Sequence, residues 1–146
     1  MILLGSIAEA KDIQLFNPDL FGQPANKEIK PLNDRKTDEI EPNIVKLDIK
    51  DGKYIASTIT YPAQITFEEA RESINRYFKK YEHNNYKTHA MAVWRVTDKK
   101  FMISLTKEKD AIQMIYIQFQ PDEVVFKSLL KSMGADVDCI KDNVCK

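Results

Sequence analysis

Glycine is scarce in this 146-residue chain, four in all, at positions 5, 22, 52 and 134. So widely spaced, they form neither a Gly-rich phosphate cradle nor a P-loop, and the common nucleotide-binding motifs are set aside. Cysteine is scarcer still, with only Cys139 and Cys145, too few for a disulfide framework and wrongly spaced for a Cys-x-x-Cys metal site. Histidine occurs twice, as His83 and His89. A hydrolytic triad would have to draw its base from one of these unless a lysine or carboxylate served. Neither sign of charge is in excess, since 22 Lys+Arg balance 22 Asp+Glu. That balance argues against a nucleic-acid partner, whose attraction needs a basic surplus. No apolar run approaches the roughly 18 residues of a membrane span. What remains is 43% hydrophobic and 30% charged, the composition of one soluble globular domain. At this length a domain buries roughly 70% of its unfolded surface, so no metal is needed to hold it together and no cofactor is implied.

The two ends bear on compartment. Residues 1–10 are apolar and finish in Ala8-Glu9-Ala10, which has the form of a signal-peptidase site but lacks a basic leading region. Two readings stand: the tail of a secretory signal whose start lies upstream, or a short strand or turn docked on the domain through Ile2, Leu3, Leu4 and Ile7. Cys139 and Cys145 can close one small loop, and a disulfide there would favour an oxidising compartment. Together these features favour a periplasmic or secreted location over a cytoplasmic one. Asp136, Asp138 and Asp142 lie nearby, but without the glycine and glutamate of a calcium loop.

Four of the six prolines, Pro18, Pro24, Pro31 and Pro42, fall within residues 1–42. This segment reads as an extended arm, with Phe16, Leu20 and Phe21 as its anchors. It carries eight acids against five bases, a net of minus three, which leaves plus three for residues 43–146.

The α+β domain is expected over 43–146. Val45, Leu47 and Ile49 alternate with Lys46, Asp48 and Lys50, the pattern of a half-buried strand. Asp51-Gly52 predicts a tight hairpin into Lys53–Tyr61. Thr66-Phe67-Glu68-Glu69 fits a capping box, opening a helix with Phe67, Ala70, Ile74, Tyr77, Phe78 and Tyr81 on one face. Strands follow over 88–97, 100–106 and 111–119, joined by short polar links that imply an antiparallel meander. A second helix starts near Pro121-Asp122-Glu123, with Val125, Phe126, Leu129, Leu130 and Met133 as its stripe and Gly134 after it. The order β-β-α-β-β-β-α gives a five-stranded antiparallel sheet with helix packed on at least one face.

Alternation divides that sheet. Ile55, Ile59, Trp94, Val96, Phe101, Ile103, Leu105, Ile115, Ile117 and Phe119 match the stripe of the first helix. Opposite them stand Tyr54, Ala56, Thr58, His89, Met91, Val93, Arg95, Met102, Ser104, Ile112, Met114 and Tyr116, a face too apolar for simple exposure. The second helix, the arm, a ligand or another protein must cover it, and its methionines suit adaptable packing.

Catalytic groups are hard to assemble. His83 reads as a solvated residue at a helix C-terminus, where the partial negative charge would hold its proton. Ser57 and Ser104 lack a nucleophile motif. The leading expectation is therefore a non-catalytic binding module that holds a protein partner or a small apolar ligand. Its candidate surface comprises Tyr54, His89, Met91, Val93, Arg95, Met102, Met114 and Tyr116. One alternative is a small hydrolase or transferase using His89 with a carboxylate or Arg95. Another is a structural homodimer with the second face as its interface.

Overall fold

A computed structural model describes residues 11–83 and 90–133. His89, Cys139, Cys145, the aspartates at 136, 138 and 142, Gly134 and residues 1–10 lie outside them. The two short strands β1 (Asp12–Ile13) and β2 (Glu39–Ile40) pair in parallel within the arm. A five-stranded antiparallel sheet follows, built from β3 (Ile44–Lys50), β4 (Lys53–Tyr61), β5 (Met91–Val96), β6 (Phe101–Lys107) and β7 (Gln113–Phe119). Its spatial order is β3-β4-β7-β6-β5. Helix α1 (Phe67–Phe78) connects β4 to the far edge strand β5, and α2 (Glu123–Ser132) follows β7.

The local signals act as their chemistry requires. Asp51 and Gly52 both take positive φ, 53° and 75°, the backbone a two-residue hairpin needs to match strand twist. Thr66 Oγ1 accepts from the Glu69 N–H at 3.1 Å while Glu69 Oε1 accepts from the Thr66 N–H at 3.0 Å, closing the capping box. Desolvation pushes the Glu69 carboxyl upward. The N–H groups of Lys11 and Thr66 outweigh it and hold the group below the usual carboxylate range. Asp122 caps α2, its Oδ1 accepting from the Val124 N–H at 2.8 Å. Pro121 therefore precedes the cap instead of occupying the first turn.

One face of the sheet buries against α1 through Phe67, Ala70, Ile74 and Phe78. Tyr77, expected on that stripe, is exposed, and Tyr81 reaches the core from a 3-10 turn after the helix. The arm completes the same core with Ile13, Leu15, Phe16, Leu20 and Phe21. Phe16 stacks on Phe78 with ring centres 6.1 Å apart and meets Phe101 edge-on at 5.7 Å. Ser73 Oγ donates to Asp12 Oδ1 and accepts from the Ile13 N–H, which ties β1 to α1. At Gly22 a Cβ would lie 2.7 Å from the Phe119 ring, so only glycine lets the arm cross there.

On the other face α2 builds a separate, smaller core. Phe126, Leu130 and Met133 close over Val93 and Met102, with Met91 and Leu129 at the margin. The two helices thus lie on opposite faces. Val125, expected in the α2 stripe, is 54% exposed.

The face assignments change at one position. The β3–β4 register shifts between Asp48, opposite Ala56, and Ile49, opposite Tyr54. Ile55 is the extra residue of a β-bulge. A bulge reverses the alternation of the strand beyond it, so Tyr54 packs against the larger core and donates from its hydroxyl to the Ala25 carbonyl at 3.0 Å. Tyr54 is therefore not on the second face. Ile55, assigned to the α1 side by alternation, instead lines a hollow of about 600 Å³ with Gly22, Lys53, Gln118 and Phe119.

Candidate functional site

The second face is where α2 stops short of covering the sheet. A helix is about 10 Å across and strands lie about 4.8 Å apart, so one helix spans about two strands of five. Helix α2 takes β5 and β6, with Val93 and Met102 fully enclosed beneath it. On β4 and β7, Thr58, Thr60, Met114, Tyr116 and Gln118 are half-buried. Register places Tyr116 between Thr58 and Ser104, and Met114 between Thr60 and Thr106. Methionine and tyrosine here stand among hydroxyls that can orient a bound molecule. Burial first, then the Asp48 carboxylate two strands away, push the Tyr116 hydroxyl pKa up. The phenol is therefore a neutral donor across the physiological range.

The margin of the α2 core is polar. Arg95 pairs with Glu123 of α2, and its guanidinium lies 5.1 Å from the centre of the Phe126 ring. Beside this pair opens a cavity of about 220 Å³, lined by Arg95, Thr97, Lys100, Gln120, Pro121 and Glu123. With its guanidinium paired to Glu123 and lying over the Phe126 ring, Arg95 helps seat α2.

His83 departs from expectation. It is 4% exposed and not a solvated cap. Helix α1 ends earlier, and the chain then runs along the free edge of β5, with Glu82 bridging Trp94 and the His83 N–H donating to the Val93 carbonyl at 2.8 Å. The imidazole meets Phe126 edge-on at 6.2 Å, and its Nδ1 is buried with no hydrogen-bond partner among the described residues. Burial, and then the Arg95 charge, lower its pKa. The helix terminus does not hold its proton.

Of the eight residues expected to form a surface, Met114 and Tyr116 remain on the open area. Met91 and Arg95 border α2, Val93 and Met102 lie beneath it, Tyr54 belongs to the opposite face, and His89 lies outside the described residues. Sequence reasoning placed His83 at a solvated helix end and Glu123 in the first turn of α2, and alternation alone carried no sign of their contacts with Phe126 and Arg95. No helix among the described residues is long and apolar enough to cross a membrane. Comparison with known proteins returns no matching family model, curated protein or solved structure.

Proposed function

We propose that the protein is a binding module whose working surface is the open part of the second sheet face, centred on Met114 and Tyr116. A protein partner or a small apolar ligand would lie across β7 and β4 beside α2. The carrying observation is the mismatch between one helix and five strands, which leaves Met114 and Tyr116 half-buried in a row of hydroxyls. Val124 and Val125, 72% and 54% exposed on α2, add apolar surface to the same protein. The export expected from residues 1–10 belongs to this reading, as a module acting outside the cytoplasm.

An environment-sensitive dye, anilinonaphthalene sulfonate, tests the surface directly. Native protein should enhance its fluorescence, and Met114→Asp should lose that enhancement with an unchanged circular dichroism spectrum. An equal response from native protein and variant, or no response from native protein, removes this surface as the site. The hydrolase alternative gains no support from Arg95, whose guanidinium is already held by Glu123 and Phe126.

A further inference from the structure

The edge strand β3 presents a second surface, independent of the one above. It has β4 as its sole strand neighbour among the described residues. Of the large hydrophobic side chains exposed among those residues, Ile44 and Ile49 belong to this strand, at 51% and 56%. An unpaired strand with exposed isoleucines is a template for another chain. The Lys46 carbonyl faces β4, where it accepts from Ser57 Oγ at 3.0 Å. By the alternation of antiparallel pairing, the N–H and C=O groups of Val45, Leu47 and Ile49 then point away from β4.

The sequence of this edge, Ile44-Val45-Lys46-Leu47-Asp48-Ile49-Lys50, is complementary to itself. We infer that β3 pairs antiparallel with β3 of a second copy about a two-fold axis at Leu47, forming one ten-stranded sheet. In this register Leu47 faces the partner's Leu47, and Val45 faces the partner's Ile49 on the α1 side. On the second face Lys46 stands opposite the partner's Asp48, twice by symmetry. Those charged pairs are the non-hydrogen-bonded ones, in which side chains approach more closely.

The two neighbouring registers fail on charge, and a longer slide shortens the pairing. Matching the faces of the two sheets permits shifts of two residues only. A shift one way sets Asp48 against the partner's Asp48 and Lys46 against the partner's Lys50. A shift the other way sets Lys46 against the partner's Lys46. Lysine on an edge strand ordinarily discourages pairing. Here it favours the register centred on Leu47 over its two neighbours. A two-fold axis perpendicular to the sheet also places both second faces on the same side of the dimer.

Sedimentation velocity on the full chain tests the pairing by charge exchange. Native protein should show a concentration-dependent species of twice 16.9 kDa. Lys46→Asp and Asp48→Lys should each weaken association on the order of tenfold, because like charges then face each other. The double variant should restore it, and both substitutions fall at exposed positions, so the circular dichroism of all three variants should match that of native protein. Met114→Asp should leave the dimer unchanged. A monomer at every concentration, single variants that dimerise as native protein does, or a double variant that fails to recover would each overturn the inference. Dissociation by Met114→Asp would instead move the interface to the second face.

Discussion

On one side of the sheet, α1 shares the burial with the arm, and Ile13, Phe16, Leu20 and Phe21 fill what a single helix leaves open. On the other side, α2 has no such companion among the described residues, and its core of Phe126, Leu130 and Met133 reaches only the strands at one end. Among the described residues, the same five strands are therefore closed on one face and part-open on the other. A closed core unfolds with the whole domain, whereas a helix docked by a few side chains can leave on its own. Stability is expected to concentrate on the α1 face, and binding on the other.

Substitution of the aromatic anchors gives the sharpest contrast. Phe16→Ala removes a ring packed on Phe78 and Phe101 in the closed core, and should cost about 3–5 kcal/mol of global stability by urea denaturation. A cost below about 1 kcal/mol would mean the arm is an ornament and not part of the core. Phe126→Ala should cost less, because the loss is limited to the free energy of undocking α2. Hydrogen exchange is the discriminating readout: protection should vanish in α2 and persist in β6 and β7. If both substitutions unfold the chain to the same extent, the two faces are one cooperative unit.

Much of the closed face was legible in the chain itself. The alternation around Leu47, the Asp51-Gly52 turn and the Thr66–Glu69 box report local geometry, and local geometry is what periodicity encodes. The proline-rich arm was legible as extended chain, with Phe16, Leu20 and Phe21 as anchors. Its depth was not, although Ile13 and Leu15 alternate with Asp12 and Gln14 as a buried edge would. The bulge at Ile55 left no trace, because a bulge is defined by the register of two strands and alternation reads only one. His83 was illegible for a related reason. Its burial comes from chain beyond the helix lying against β5 under Phe126, a tertiary accident of path. The second face was half legible: Met114 and Tyr116 lie on it as alternation predicts, and Val93 and Met102 lie on it too, but beneath α2, whose face a single strand's alternation does not encode.

His83 also makes the α2 face sensitive to acid. Burial and the Arg95 charge hold it neutral in the fold, while the unfolded chain protonates near the ordinary value of 6.5. Between that value and the lowered folded one, the unfolded chain carries more protons. The contribution is therefore complete above 6.5 and is lost as the pH falls. The charged groups around the ring are Arg95 on β5, Glu123 on α2 through Arg95, and Glu82 on its own segment, itself paired with Arg71 of α1 at 2.8 Å. The urea midpoint should fall from about pH 7.5 to about pH 5.5, and less steeply in His83→Gln. An unchanged slope in that variant would assign the acid sensitivity to other groups.

The smallest effect expected is that of Glu123→Gln. Glu123 is half exposed, so its pair with Arg95 should contribute about 0–1 kcal/mol and weaken with added salt. Arg95 keeps its position over Phe126 without it, so the apolar contact that seats α2 survives. Arg95→Met should likewise retain most of the docking, since a thioether can pack on the same ring. Should Glu123→Gln instead release α2 as fully as Phe126→Ala, by the same hydrogen-exchange measurement, charge and not the Phe126 core would be what holds the helix. The second face would then open with ionic strength, and the contrast between the two faces would be one of electrostatics and not of packing.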